Sequence, residues 1–208
     1  MMPIDVYLVF IFTSTLLALT PGPDNIFVLT QSALYGKRSG ILITLGLCTG
    51  LVFHTCLVAF GVATIMQTSD WALSALKIIG AIYLVCLAWQ IFNSQTQELS
   101  GKGVVMSDTN LYLRGIVMNV TNPKVSIFFL AFLPQFASSN YGAITPQIIL
   151  LGAIFGVVSL FIFSGISILA STLGDWLKRK PNAQIYLSRT TALIFVVLAF
   201  NLLMGLIS

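Results

Sequence analysis

Six apolar runs, at roughly 4–35, 40–66, 71–92, 114–137, 147–171 and 185–207, divide almost the whole chain, and each is long enough to cross a bilayer as a helix. No other feature constrains the fold as strongly. A soluble domain of 208 residues cannot hide six such runs in one core, because much of its surface stays exposed. Composition agrees: 57% of the residues are hydrophobic and only 8% charged, about a third of the charge usual in a soluble domain. The expected fold is therefore all-α and integral to a membrane, since backbone groups surrounded by lipid must find their partners within the segment. Six spans leave only short connections, so residues 1–208 form a single membrane domain.

Eight of the ten cations fall at or beside the odd connections. Lys37 and Arg38 follow the first, Lys102 and Arg114 flank the third connection, and Lys178, Arg179, Lys180 and Arg189 surround the fifth. Cytoplasmic loops carry the excess of Lys and Arg, which places the odd connections inside and both termini on the periplasmic or extracellular side. The net charge of +4 thus reports membrane orientation and not a nucleic-acid partner. No Lys or Arg precedes the first run, so it lacks the charged flank of a cleaved signal peptide and is expected to remain as a span. Cys48, Cys56 and Cys86 lie within apolar runs without metal-ligand spacing, and neither a metal nor a cofactor is expected. The polar stretch at about 93–112 reads as a linker between repeat 1, about 1–92, and repeat 2, about 113–208.

The two halves resemble each other. Pro23-Asp24-Asn25 corresponds to Pro123-Lys124-Val125, 100 positions later, and Leu45-Gly46-x-x-x-Gly50 corresponds to Leu151-Gly152-x-x-x-Gly156. Three spans per repeat is an odd number, so the second copy lies inverted relative to the first. Such an architecture suits transporters, whose broken helices meet near the bilayer midplane. Proline inside a helix removes a donor and clashes with the preceding turn, so Pro21-Gly22-Pro23 breaks the first span and Pro123 the fourth. Pro23 lies about 14 residues from Lys37, roughly 20 Å at the helical rise, which puts the break near mid-membrane.

The candidate substrate-binding residues gather at these breaks: Pro21, Gly22, Pro23, Asp24, Asn25, Asn119, Asn122, Pro123 and Lys124. Free N–H groups after Pro23 and Pro123 would present two positive dipole ends, suited to a carboxylate. Each proline taken alone reads equally as a packed kink. Asp24 reads either as a helix-capping carboxylate or as a coupling acid. Lys124 at a helix N-terminus opposes the dipole and calls for an anion, either Asp24 or a substrate carboxylate. His54, four residues after Gly50, is a second candidate for proton coupling, against the plainer role of bonding a backbone carbonyl.

Pro21-Gly22-Pro23-Asp24-Asn25, Gly36-Lys37-Arg38-Ser39-Gly40, Gly46 to Gly50, and Asn119-Val-Thr-Asn122-Pro123-Lys124 followed by Phe132-Leu133-Pro134-Gln135-Phe136 together resemble the LysE superfamily. The similarity is greatest to its RhtB branch, the homoserine/threonine-resistance group of amino acid exporters in the bacterial inner membrane. It covers essentially the whole chain. The resemblance implies a six-span fold, efflux of small amino acids driven by protons, and a homodimer. One acid and one base at the breaks favour a neutral, zwitterionic cargo over a dibasic one. A passive channel and a transmembrane thiol or electron carrier are the alternatives; no nucleophile or metal partner beside His54 supports an enzyme.

Overall fold

A computed structural model describes residues 2–20, 22–62, 70–93 and 106–177, with isolated positions between 193 and 200. Every element among the described residues is helical. The first run divides into α1, Ile4–Leu19, and α2, Pro23–Tyr35, bent by 60°. Gly36 turns the chain with φ +85°, a left-handed conformation that an L side chain would strain, and α3 follows at once over Lys37–Leu57. It continues into a π-helical turn, Val58–Val62. Next come α4, Asp70–Asn93, and α5, Asp108–Thr121. Asn122 separates α5 from α6, Pro123–Ile127, with a bend of 51° across the junction. The chain then tightens through a π turn at Phe128–Phe132 and a 3-10 turn at Leu133–Phe136 before α7, Ile144–Leu177.

Both proline breaks stand where the sequence puts them. Two details differ from expectation. The fourth run starts earlier, at Asp108, because Ser107 caps it by accepting from the Asn110 N–H, so the linker expected to reach residue 112 ends sooner. The fifth run is longer, with α7 spanning 34 residues. The sixth run, together with Lys102, Lys178, Arg179, Lys180 and Arg189, lies outside the described residues. Among the described residues two helices, Lys37–Gly61 and Ile144–Ser171, are long and apolar enough to cross a membrane singly, and each bent pair qualifies when taken as one span, giving two to four.

The centre of the fold is the packing of α3 along α5 and α7. Gly46 and Gly115 allow the backbones of α3 and α5 to touch: a Cβ on Gly46 would overlap Tyr112 O, and one on Gly115 would overlap Ile43 O. This is the close approach that small residues permit between helices in lipid. Gly50 lies one turn on, where a Cβ would come within 2.7 Å of the Asn119 side chain. On one side of this seam Phe10, Phe128, Phe129, Phe132 and Phe155 form the aromatic core, with Phe128 and Phe155 centroids 5.0 Å apart. On the other, Ser32 donates to Ser167 Oγ and Ser167 to Lys37 O, joining α2, α7 and the start of α3. The exterior carries Leu8, Phe12, Val52, Phe60 and Phe161, each more than half exposed, as a hydrocarbon solvent requires.

Candidate functional site

Breaking α1 leaves its last carbonyls without intrahelical partners, and each one that matters is met by a specific donor. Leu16 O accepts from the Thr20 N–H and hydroxyl at 2.9 and 2.7 Å. Ala18 O accepts from Asn25 Nδ2 at 2.7 Å. Leu17 O and Thr20 O accept from Lys124 Nζ at 3.3 and 3.0 Å. The lysine thus opposes the helix it begins but sits at the negative end of α1, where a cation is favoured. Gly22 makes room for it: a Cβ there would lie 3.1 Å from the ammonium.

The other break is satisfied in a reciprocal way. Asn122 Oδ1 caps α6 by accepting from the Lys124 N–H at 2.9 Å, while its Nδ2 donates to Asp24 Oδ2 at 2.9 Å. Asp24 is 1% exposed and its Oδ1 has no partner. Asn119 O accepts from the Asn122 N–H and lies 3.2 Å from His54 Nε2, so that ring nitrogen carries the proton. His54 is buried beside Phe53 and Phe129. This is the plainer of the two roles expected for it.

Asp24 and Lys124 therefore occupy one site without pairing to each other; among the described residues the ion pair within bonding distance is the exposed one of Arg38 with Asp108. Both line a small, partly enclosed cavity of about 10 Å³, space for about one water. Asn119 and Ser159 supply the rest of its polar wall, and Leu51, Val125, Phe155 and Phe163 its apolar wall. The arrangement offers separate contacts for a negative and a positive group.

Of the residues singled out in the sequence, Gly22, Pro23, Asp24, Asn25, Asn119, Asn122, Pro123 and Lys124 converge here, while Pro21 lies outside the described residues. Pro23 and Pro123 each occupy the first turn of a new helix. The two ends are unequal, however. From Pro123 only five residues are α-helical before the π turn, and the Lys124 N–H is already capped by Asn122, so the second break offers fewer free N–H groups than two matching dipole ends would need. Sequence reading missed Thr20 and Ser159. Ser159 follows Gly152 by seven residues, on the same helical face, and that register is the one local signal that points to it.

A helical protein with an apolar exterior, two broken helices and a buried carboxylate and ammonium held apart at their crossing is, in class, a membrane carrier. The chain belongs to the LysE type translocators, whose family profile matches residues 15–206. It is a transporter and not an enzyme. It is similar to the homoserine/homoserine lactone efflux protein of Salmonella typhimurium, 33% identical over 178 residues that cover 85% of this chain and 86% of the relative. It is also similar to the leucine efflux protein of Klebsiella pneumoniae, 26% identical over 200 residues, with 94% and 93% covered. An uncharacterized membrane protein of Vibrio cholerae shares 28% identity over 196 residues, with 94% and 95% covered. No solved structure matches the chain.

Proposed function

We propose that this protein exports small neutral amino acids across the bacterial inner membrane in exchange for protons, using the crossing of the two helix breaks as its binding site. The observation that carries this reading is the separation of Asp24 from Lys124 on the wall of one cavity. A zwitterion brings one positive and one negative group, and this site holds one partner for each. Lys124 spends hydrogen bonds on Leu17 O and Thr20 O, yet an ammonium has three donors, which leaves one for a substrate carboxylate. The cavity as it stands admits about one water and must widen for a substrate, whose aliphatic side chain would then meet Leu51, Val125, Phe155 and Phe163. The names of the two efflux relatives, for homoserine and for leucine, point to the same substrate class.

Asp24 is the coupling acid in this reading, with His54 in reserve. The reciprocal contacts, Lys124 onto the end of α1 and Asp24 onto the cap of α6, support two inverted repeats at about 1–92 and 113–208 that rock about this point. Loop charge supports termini on the periplasmic side, and the family resemblance extends the reading to a homodimer. A cavity with space for about one water, and not a continuous pore, weighs against a passive channel. The outward exposure of Cys56 and Cys86 weighs against a thiol relay. Counterflow of a panel of labelled amino acids in proteoliposomes, with and without a pH gradient, tests the proposal. Exchange of neutral amino acids that accumulates only with the gradient is expected; absence of any amino acid exchange would sink it.

A further inference from the structure

The hydroxyl of Ser159 behaves unlike those around it. In this chain a helical hydroxyl commonly bonds the carbonyl one turn back: Thr13 to Val9 O, Thr44 to Gly40 O, Thr55 to Leu51 O and Ser126 to Asn122 O. That local bond is the usual way a buried Ser or Thr satisfies itself inside a helix. Ser159, 1% exposed, makes no such bond, and its Oγ has no partner. Leaving a buried polar atom unpaired is unfavourable, and three of the six such atoms among the described residues belong to the lining of one cavity, which points to a ligand there. Asp24 Oδ1 and Asn119 Oδ1 are unpartnered and buried in the same way, and all three residues line the same cavity.

We propose that Asp24 Oδ1, Asn119 Oδ1 and Ser159 Oγ together form the ammonium pole of the binding site, and that Ser159 makes it selective for primary α-amino acids. The inference rests on the proposed export of amino acids and deepens it. A primary ammonium group carries three N–H donors and no acceptor; the three oxygens match that number, and the carboxylate supplies the charge. An N-methylated amino acid has one donor fewer and an added methyl, so it leaves one buried oxygen unpaired and crowds the small cavity. Lys124 takes the carboxylate at the opposite pole. Ser159 belongs to α7 whereas Asp24 and Asn119 belong to α2 and α5, so the ammonium group also ties three helices together when substrate is bound.

The test compares wild type, Ser159→Ala and Ser159→Cys as full-length protein in proteoliposomes, with leucine, homoserine and their N-methyl analogues as substrates. Wild type should prefer the primary amines, and both variants should raise the half-saturating concentration for them by about tenfold, the weight of one hydrogen bond to a charged group. The same variants should narrow the preference over the N-methyl analogues. A thermal melt of the purified chain separates binding from packing. Without ligand Ser159→Ala should melt no lower than wild type, because it strands no partner, while the upward shift produced by leucine or homoserine should shrink. Ser14→Ala removes the other unpartnered buried hydroxyl among the described residues, which does not line this cavity, and should keep wild-type affinity. If wild type transports these amino acids and Ser159→Ala does so with unchanged affinity and selectivity, the ammonium pole is wrong while the exporter reading stands. A lower unliganded melt with an intact ligand shift likewise assigns Ser159 to packing. If wild type neither binds nor exchanges any of them, both readings fall together.

Discussion

Lys124 closes the end of a helix in the other half of the chain: its ammonium donates to Thr20 O at 3.0 Å, across 104 positions of sequence. The contact gives a buried cation a structural reason to exist and at the same time holds it beside the cavity. Lys124→Met is expected to abolish export and also to lower the melting temperature of the purified protein, since Thr20 O is left unpaired at a cost of about 1–3 kcal/mol, while Leu17 O keeps its bond from the Thr20 N–H. Relief from burying a charge offsets part of that. Normal export by a folded Lys124→Met protein would show that the ammonium serves the helix end alone.

Asn122 should resist a change that looks conservative. Its amide serves Asp24 through Nδ2 and the Lys124 N–H through Oδ1. Asn122→Ala loses both bonds, and the cap alone is worth about 1 kcal/mol. Asn122→Asp keeps the cap but sets a second carboxylate against Asp24, where like charges in a buried site cannot both ionise freely. Export by Asn122→Asp should therefore fall at least as far as export by Asn122→Ala, although the cap survives. Higher activity in the aspartate variant would mean that the cap, and not the bond to Asp24, is what matters.

The glycines give a graded test of the packing. A Cβ on Gly46 would overlap backbone of α5, one on Gly50 would press on the Asn119 side chain at 2.7 Å, and one on Gly156 would meet nothing within 4 Å. Backbone cannot move aside as a side chain can, and overpacking costs about 1–3 kcal/mol where neighbours do not yield. Melting temperatures should rank Gly156→Ala near wild type, Gly50→Ala lower and Gly46→Ala lowest. A destabilised Gly156→Ala with a tolerated Gly46→Ala would refute the α3–α5 contact.

Those glycines also mark how far the sequence can be read. Pro23 and Pro123 betray the breaks because proline cannot sit in a helix interior, and Gly46 with Gly50 betrays the contact face because its spacing is helical. Both signals are local. The unequal fate of Gly50 and Gly156, aligned as repeat mates, is not local: it depends on which helix lies opposite, and α5 with Asn119 stands only against the first. Lys124 was legible as a cation in need of a partner, but the partners are carbonyls that exist only because α1 ends nearby. A sequence shows side-chain charges and not orphaned backbone dipoles. Ser159 is a single hydroxyl in an apolar helix, and nothing beside it in the chain says that its usual backbone bond is not made.

Orientation can be checked apart from transport. Cysteines placed at Ser139 and Lys102 in a cysteine-free background should react with an impermeant reagent from opposite faces. Ser139 follows the end of the fourth run, on the side assigned to the periplasm, and Lys102 belongs to the positively charged third connection. Equal labelling of both from outside would overturn the assignment.

Asp24 decides whether the carrier is coupled. Its carboxylate accepts from Asn122 through Oδ2 and keeps Oδ1 free on the cavity wall, so proton and substrate ammonium compete for the same oxygen. Occupancy by one excludes the other, which is the minimum an exchanger needs from a shared site. Asp24→Asn removes the titration but preserves the size of the group and one oxygen, which must serve both Asn122 Nδ2 and the substrate, while Lys124 and its bonds to the end of α1 are untouched. The variant is therefore expected to keep downhill counterflow, with weaker affinity because the ammonium loses its charge partner, and to lose accumulation driven by a pH gradient. His54 supplies the comparison. It bonds Asn119 O and does not line the cavity, so His54→Gln should slow exchange without uncoupling it. Gradient-driven export that survives Asp24→Asn and disappears in His54→Gln would transfer the coupling role to the histidine.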